Sequence, residues 1–288
     1  MITLPLRDHP WRHRRFANIL LDRWFKRTFG WAPARRLMQL FLQQLIPERT
    51  ITEISFGPQE HVNPIDRGKD IRLDVHCKDS NGNHFIVEVQ RDDQDTFYER
   101  AVFNSSFIIQ EELPRGSTNW DFSPIYFIGI LNFSIHENSN QVLYRYRLRE
   151  RTSGEPMTDR IEYLFLEIPN CKQALMPAAS ELDKVCYVLG HISEMDERPE
   201  GFEGEFFDLL FNFAEIVNLA PHEREEYIKD MTTERDRANQ LATAVRKSRE
   251  EGSLERARSI ARNMLELHLS DSQIADITGL SISEIQSL

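Results

Sequence analysis

The order of hydrophobic patterns along the chain predicts an α/β (α+β) fold: a mixed central sheet flanked by helices, with a helical C-terminal arm. Three observations carry that expectation. Helix-period segments near the N-terminus give way to strand-like runs within residues 50–90, then one helix, then further strand-like runs. The stretch Ser123–Phe133 is almost wholly apolar, as suits a buried central strand. From about Ser180 onward the segments have helical period, and residues 222–250 are highly charged with few large apolar side chains.

Taken in order, Trp11–Phe29 reads as a helix, with Phe16, Leu20, Leu21, Trp24, Phe25 and Phe29 at spacings of three and four. Gly30 stops it, and Pro33 suits the first turn of a second helix carrying Leu37, Leu40, Phe41 and Leu45, which Pro47 ends. Thr50–Phe56, Asp70–Lys78 and His84–Gln90 read as strands. Thr96–Leu113 is a helix with Phe97, Ala101, Val102, Ser105 and Ile108 on one side, closed by the Pro114–Gly116 break. Val142–Arg149 alternates like an edge strand, and Arg160–Ile168 is another strand. Leu182–Ile192 and Phe206–Leu219 are apolar-faced helices. Residues 222–250 then form a long solvated helix that Glu251–Gly252 interrupts. The expected division is a core domain over residues 1–219, a charged arm over 220–268 and a small tip over 269–288.

Bulk composition limits the function classes. With 40% apolar and 28% charged residues, the low-hydrophobicity signature of disorder is absent. Cys77, Cys171 and Cys186 are few, odd in number and form no CxxC pair, which points to a reducing compartment and away from a zinc site or disulfide framework. The longest apolar stretch, Ile125–Leu131, is too short to span a bilayer, so no membrane role is expected. The Arg-rich start lacks the apolar run of a secretory signal, and a cytoplasmic location is the expectation. The net charge of −11 is unevenly distributed: residues 1–50 hold ten Lys/Arg against three Asp/Glu, a local +7. A polyanion responds to such local patches rather than to the total, although a surface helix rich in Arg is the commoner reason for one.

The most informative stretch is DIRLDVHCKDSNGNHFIVEVQ, residues 70–90. Alternation puts Ile71, Leu73, Val75 and Cys77 on one face of the first strand and Arg72, Asp74 and His76 on the other. In the second strand Phe85, Val87 and Val89 oppose Ile86, Glu88 and Gln90. A two-residue Asn-Gly turn would set Asp74 opposite Val89, on mismatched faces. Asp79-Ser80-Asn81-Gly82 instead fits a type I turn with Gly82 left-handed, so that Asp79 pairs with Asn83 and Asp74 with Glu88. Two carboxylates about 5 Å apart across a ladder repel unless one is protonated or a cation lies between them. Such oxygen ligands suit Mg²⁺ or Mn²⁺. The commoner alternative is a surface hairpin whose Asp and Glu simply face water.

The run Asp74…Glu88-Val89-Gln90 resembles the D…(D/E)xK core of the PD-(D/E)xK nucleases, in the ExQ form of the Rpn family of recombination-promoting nucleases and transposases. Asp22-Arg23-Trp24-Phe25-Lys26-Arg27-Thr28-Phe29-Gly30 resembles that family's opening D-x-x-F-K-x-x-F-G, and Arg100-Ala101 its R-A. Glu251-Gly252 and the Ile-Ala…Thr-Gly-Leu-Ser tail resemble its C-terminal end. The resemblance implies a restriction-endonuclease-like core and metal-dependent hydrolysis of phosphodiester bonds in DNA, with a recombination or transposase-like role. It implies that Asp74 and Glu88 hold the metal with the Val89 carbonyl as an extra oxygen, that Gln90 stands in the usual Lys position, and that Asp22 is a further acidic ligand. Asp22 also suits an i, i+4 ion pair with Lys26. Lys26 and Arg100 are candidate phosphate or DNA contacts, and Arg100 suits equally a pair with Glu99 or Asp95. Gln90 can orient water but brings no charge, and Phe103 replaces the family's Tyr. His76 shares the face of Asp74 and reads as structural. The alternative function is a catalytically weak or inactive nuclease fold that binds DNA or protein.

The tail Ser270–Leu288 has helix-turn-helix spacing, with Ser270 and Ser281 as N-caps and Gly279 at the turn. Its last segment carries no Lys or Arg, and a small docking hairpin suits it as well as a base reader. Arg246, Lys247, Arg249, Arg256, Arg258 and Arg262 suit either phosphate contact or pairing with the interleaved Glu residues. The arm is also a candidate homo-oligomer interface.

Overall fold

A computed structural model describes residues 14–61, 71–92, 96–113, 116, 118–136, 139–171 and 179–288. The chain divides into two compact units, residues 1–220 and 221–288. In the first, helices α1 (Asp22–Phe29) and α2 (Arg35–Leu45) precede strands β1 (Ile54–Phe56), β2 (Glu60–His61), β3 (Ile71–Arg72), β4 (Val75–Asp79) and β5 (His84–Gln90). Helix α3 (Phe97–Glu112) follows, then β6 (Ile125–Leu131), β7 (Leu143–Tyr146), β8 (Ile161–Glu167), α4 (Glu181–His191) and α5 (Glu205–Ala214). Six strands form one mixed sheet in the order β1-β4-β5-β6-β8-β7, while β2 and β3 make a separate ribbon. The pairs β5–β6 and β6–β8 are parallel and the remaining pairs antiparallel. This is the expected mixed sheet flanked by helices.

Both faces of the sheet are covered, which is why β6 reads as an unbroken apolar run. Val75, Cys77, Phe85, Val87, Tyr126, Ile128 and Leu164 pack with Phe25, Phe29 and Phe41 of α1 and α2 and with residues of α4 and α5. On the other face Ile86, Phe127, Leu131 and Phe165 pack with Phe97, Ala101, Phe107 and Ile108 of α3. Gly129 of β6 is required by this packing: a Cβ there would lie 2.7 Å from the Phe97 ring and 2.9 Å from Phe165.

Three expectations need correction. The predicted helix from residue 11 begins only at Asp22; residues 11–13 lie outside the described residues. Residues 14–21 instead run across the end of α5, where Phe16 bridges Glu215, Ala17 N–H donates to the Ala214 carbonyl and Ile216 N–H to the Arg15 carbonyl. These residues are mostly buried, so tertiary partners replaced helical ones. The predicted strand 70–78 breaks at residues 73–74. As a result Ile71 and Leu73 pack under α3 with Ile86, not with Val75 and Cys77 on the opposite face.

The third correction concerns the second unit. Helix α6 (Pro221–Glu266) passes through Gly252 without interruption. One exposed glycine costs a helix only about 1 kcal/mol, too little to break it between good helix formers. Helices α7 (Asp271–Thr278) and α8 (Ile282–Gln286) follow, each opened by a serine capping box, with Gly279 at φ 72° between them. Ile274, Leu280 and Ile285 bury against Ala261 of α6. In the arm, Arg246 pairs with Glu250 at 2.9 Å and Arg258 with Glu255 at 3.2 Å. Among the described residues no helix is long and apolar enough to cross a membrane.

Candidate active site

The site begins with the turn between β4 and β5. Gly82 N–H donates to the Asp79 carbonyl at 3.0 Å, and Gly82 takes φ 87°, a conformation open to glycine. The Asp79 carboxylate accepts from Asn81 N–H, Asn83 N–H and the Asn83 amide, all within 3.0 Å. Local chemistry therefore fixes the register: Val75 lies opposite Val87, His76 opposite Ile86 and Cys77 opposite Phe85. Asp74, one residue further, comes opposite Glu88. There the backbone bends, and Asp74 Oδ2 accepts the Val89 N–H at 3.0 Å. A side chain thus satisfies an amide that an unbroken strand would have met with a carbonyl.

Helix α1 delivers Lys26 to the same point. Its ammonium lies 3.1 Å from Asp74 Oδ1 and 2.7 Å from Asp22 Oδ1. Asp22 thus forms the i, i+4 pair with Lys26 and lies at the edge of the cluster. Burial works against charge on Lys26, yet the two carboxylates raise its pKa overall. Burial likewise opposes the Asp22 carboxylate, but hydrogen bonds with Asp74 and Lys26 hold its pKa below the usual range.

Glu88 is 3% exposed, in the middle of the sheet. Its Oε1 accepts from the Asn104 amide at 2.8 Å, while Gln90 Nε2 and Arg100 Nη2 lie 3.4 and 3.7 Å from Oε2. Arg100 also approaches the Gln90 carbonyl oxygen at 3.5 Å. Burial, and then the charge of Asp74, push Glu88 up to about 7. Asp74 rises to about 6, chiefly through burial and its hydrogen bond with Asp22. Two carboxylates that each resist ionisation are what a bound cation would relieve.

Asp22, Lys26, Asp74, Glu88, Gln90 and Arg100 thus form one connected cluster drawn from α1, the β4–β5 hairpin and α3. Asn104 belongs to it and escaped the sequence reading; its signal was a polar residue four positions after Arg100 on the apolar side of α3. Arg100 turns to Glu88 and Gln90, and Asp95 lies outside the described residues. Phe103 meets Phe107 edge-on and is 38% exposed. His76 hydrogen-bonds His84 at 3.0 Å, and His84 in turn meets Glu112 at 2.8 Å.

For a divalent ion, the donor set that fits is the Asp74–Glu88 pair. Among the described residues no group of three or more His, Cys, Asp or Glu side chains is arranged to hold a metal. The Lys26 ammonium lies 2.7 Å from Asp22 Oδ1 and 3.1 Å from Asp74 Oδ1, so Asp22 would join the pair as a further ligand only if that ammonium moved.

A mixed sheet that carries an Asp at the bend before one strand and Glu-x-Gln on the next, with Arg and Asn from the following helix, defines a PD-(D/E)XK nuclease-like protein. Residues 19–244 match the PD-(D/E)XK nuclease family transposase, and the chain belongs to that family. Its role is accordingly nuclease-like or transposase-like. No curated protein and no solved structure matches it.

Proposed function

We propose that the protein hydrolyses phosphodiester bonds in DNA with Mg²⁺ or Mn²⁺, and that Asp74 and Glu88 hold the ion together with the Val89 carbonyl. The observation that carries this reading is the opposed Asp74–Glu88 pair: burial raises both pKa values, helped at Asp74 by its hydrogen bond with Asp22 and at Glu88 by the charge of Asp74. A bound divalent ion would supply Lewis-acid stabilisation of phosphate charge and lower the pKa of attacking water. Asn104 fixes the Glu88 carboxylate through Oε1. Gln90 orients the attacking water by hydrogen bonding, and Arg100, 38% exposed at its side chain, steadies the scissile phosphate. Lys26 supplies from α1 the positive charge that position 90 lacks.

A second reading, a catalytically silent nuclease fold that binds DNA or protein, is favoured by one observation: Lys26 already pairs with both Asp22 and Asp74 without a metal. Plasmid nicking by the purified chain in Mg²⁺, Mn²⁺ or EDTA, beside Asp74→Asn, separates the two. Metal-dependent cutting that vanishes in the variant supports hydrolysis. No cutting by a folded, DNA-binding wild type supports the silent module.

A further inference from the structure

On the sheet face opposite Glu88, edge strand β7 and the segment that follows it carry a row of arginines. Arg145, Arg147, Arg149 and Arg151 occur at every second position. Tyr146 packs toward α3 and Leu143 toward the opposite cluster, so alternation puts Arg145, Arg147 and Arg149 on the side away from the candidate active site. The extended path continues past β7, where Arg149 bridges Pro156 and Met157 N–H donates to the Leu148 carbonyl. Arg145, Arg147 and Arg149 with Glu162 line a groove of about 270 Å³.

The groove is built rather than incidental. Glu162, 3% exposed, accepts from Arg145 Nε and Arg147 Nη2 at 2.7 Å each, which fixes two guanidinium planes while leaving other N–H donors available. The neighbouring strand contributes Tyr126, paired with Glu162 in the ladder. Tyr126 is 2% exposed, and its buried hydroxyl has no hydrogen-bond partner. That hydroxyl lies in the combined field of Arg49, Glu162, Arg147 and Glu48. The Arg49 guanidinium stands 5.5 Å over the Tyr126 ring, and Arg149 donates to the Gly154 carbonyl. Among the described residues neither Arg49 nor Arg149 has a carboxylate partner. Glu48 and Asp159 pair with Arg145 and Arg147 from exposed positions, and such exposed pairs are weak enough for a phosphate to replace them.

We propose that this groove is a phosphate-binding site for the backbone of a nucleic-acid strand, separate from the Asp74–Glu88 cluster. Alternate residues of an extended strand are roughly 6.6 Å apart, close to the separation of successive phosphates along an extended nucleic-acid strand, so the arginine row matches a repeating polyanion. The unpartnered Tyr126 hydroxyl would give one phosphate oxygen a neutral donor where the side chains that cover it give way. This site does not depend on the catalytic reading.

The test is anisotropy of a labelled single-stranded oligonucleotide with the full chain in EDTA, over a salt series. The double variant Arg49→Gln/Arg149→Gln leaves both Glu162 contacts intact. It should weaken binding about tenfold and flatten the log affinity–log salt slope by roughly 1.4, about 0.7 per lost phosphate contact on a single strand. Tyr126→Phe should weaken binding with the slope unchanged, because the hydroxyl is neutral. Because binding is read in EDTA, its outcome does not depend on whether the Asp74–Glu88 cluster cuts, which separates this site from the catalytic one. Unchanged affinity and slope in a folded double variant overturns the proposal. So does a wild type that inorganic phosphate stabilises but that binds no oligonucleotide.

Discussion

At the scale of single residues, Glu88 and Asp74 are held in a state that disfavours their own charges, and the supporting groups are few. Asn104 donates to Glu88 at 2.8 Å, and Val89 N–H and Lys26 hold Asp74. In the proposed mechanism Glu88→Gln removes an ion ligand, so metal-dependent nicking should fall by more than the roughly 10–100-fold typical of supporting groups. Asn104→Ala should fall within that range, because the ligand stays but loses its orientation. Initial nicking rates against Mg²⁺ concentration distinguish them: Asn104→Ala should recover partly at high metal, and Glu88→Gln should not. Equal, complete loss in both, with folding intact, would mean that Asn104 does more than orient.

At the scale of elements, the proposed mechanism has α1 supply the charge missing from β5. Lys26→Gln should lower the nicking rate about 100-fold, the lower range for loss of a positioned acid–base or charged group. Adding Gln90→Lys to that variant should restore part of it. If the double variant is no better than Lys26→Gln alone, Lys26 acts only as a structural counter-ion. The long helix offers a simpler test. Nothing lies within 4 Å of a Cβ built at Gly252, so Gly252→Ala should stabilise the C-terminal unit by about 0.4–1 kcal/mol; no gain in helical melting by circular dichroism would argue against a continuous helix there. The same elements show what a sequence can and cannot convey. The β4–β5 register was legible because turn chemistry is local: Asp79, Asn83 and Gly82 fix it within five residues. The break at Asp74 was not, because it depends on a side chain taking an amide from the neighbouring strand. Residues 14–21 have helical spacing, but their backbone partners lie near residues 214–216, about 200 positions away. Asn104 was hidden because its partner, Glu88, is joined to it only by tertiary packing of α3 on the sheet.

At the scale of the whole molecule, the buried carboxylates tie stability to pH. Glu88 titrates near 7 in the folded chain against an ordinary value of 4.5. Below about pH 4.5 it is protonated in both states, and folding retains the full benefit of its tighter proton binding. As pH rises toward 7 the unfolded chain releases the proton while the folded chain keeps it, so stability falls across that window and the benefit is gone above 7. At about 1.4 kcal/mol per pKa unit the loss from Glu88 is on the order of 3 kcal/mol, and Asp74, raised to about 6, adds to it in the same direction. His84 opposes them: burial lowers its pKa, so stability from that group is lost as pH falls below its ordinary value. Glu112, held well below the carboxylate range mainly by Lys78, Ser123 and His84 against the cost of burial, acts only at more acidic pH. The informative quantity is therefore the difference between wild type and Glu88→Gln, which cancels His84 and Glu112. Urea unfolding in EDTA from about pH 5 to about pH 8 should show the variant gaining on the wild type as pH rises. Millimolar Mg²⁺ should narrow that gap at the alkaline end, because the ion binds only the charged pair and stabilises the folded chain by mass action. Parallel pH profiles for the two proteins would show that Glu88 is not strained in the folded state, and a gap that Mg²⁺ leaves unchanged would show that the strain is not relieved by a metal.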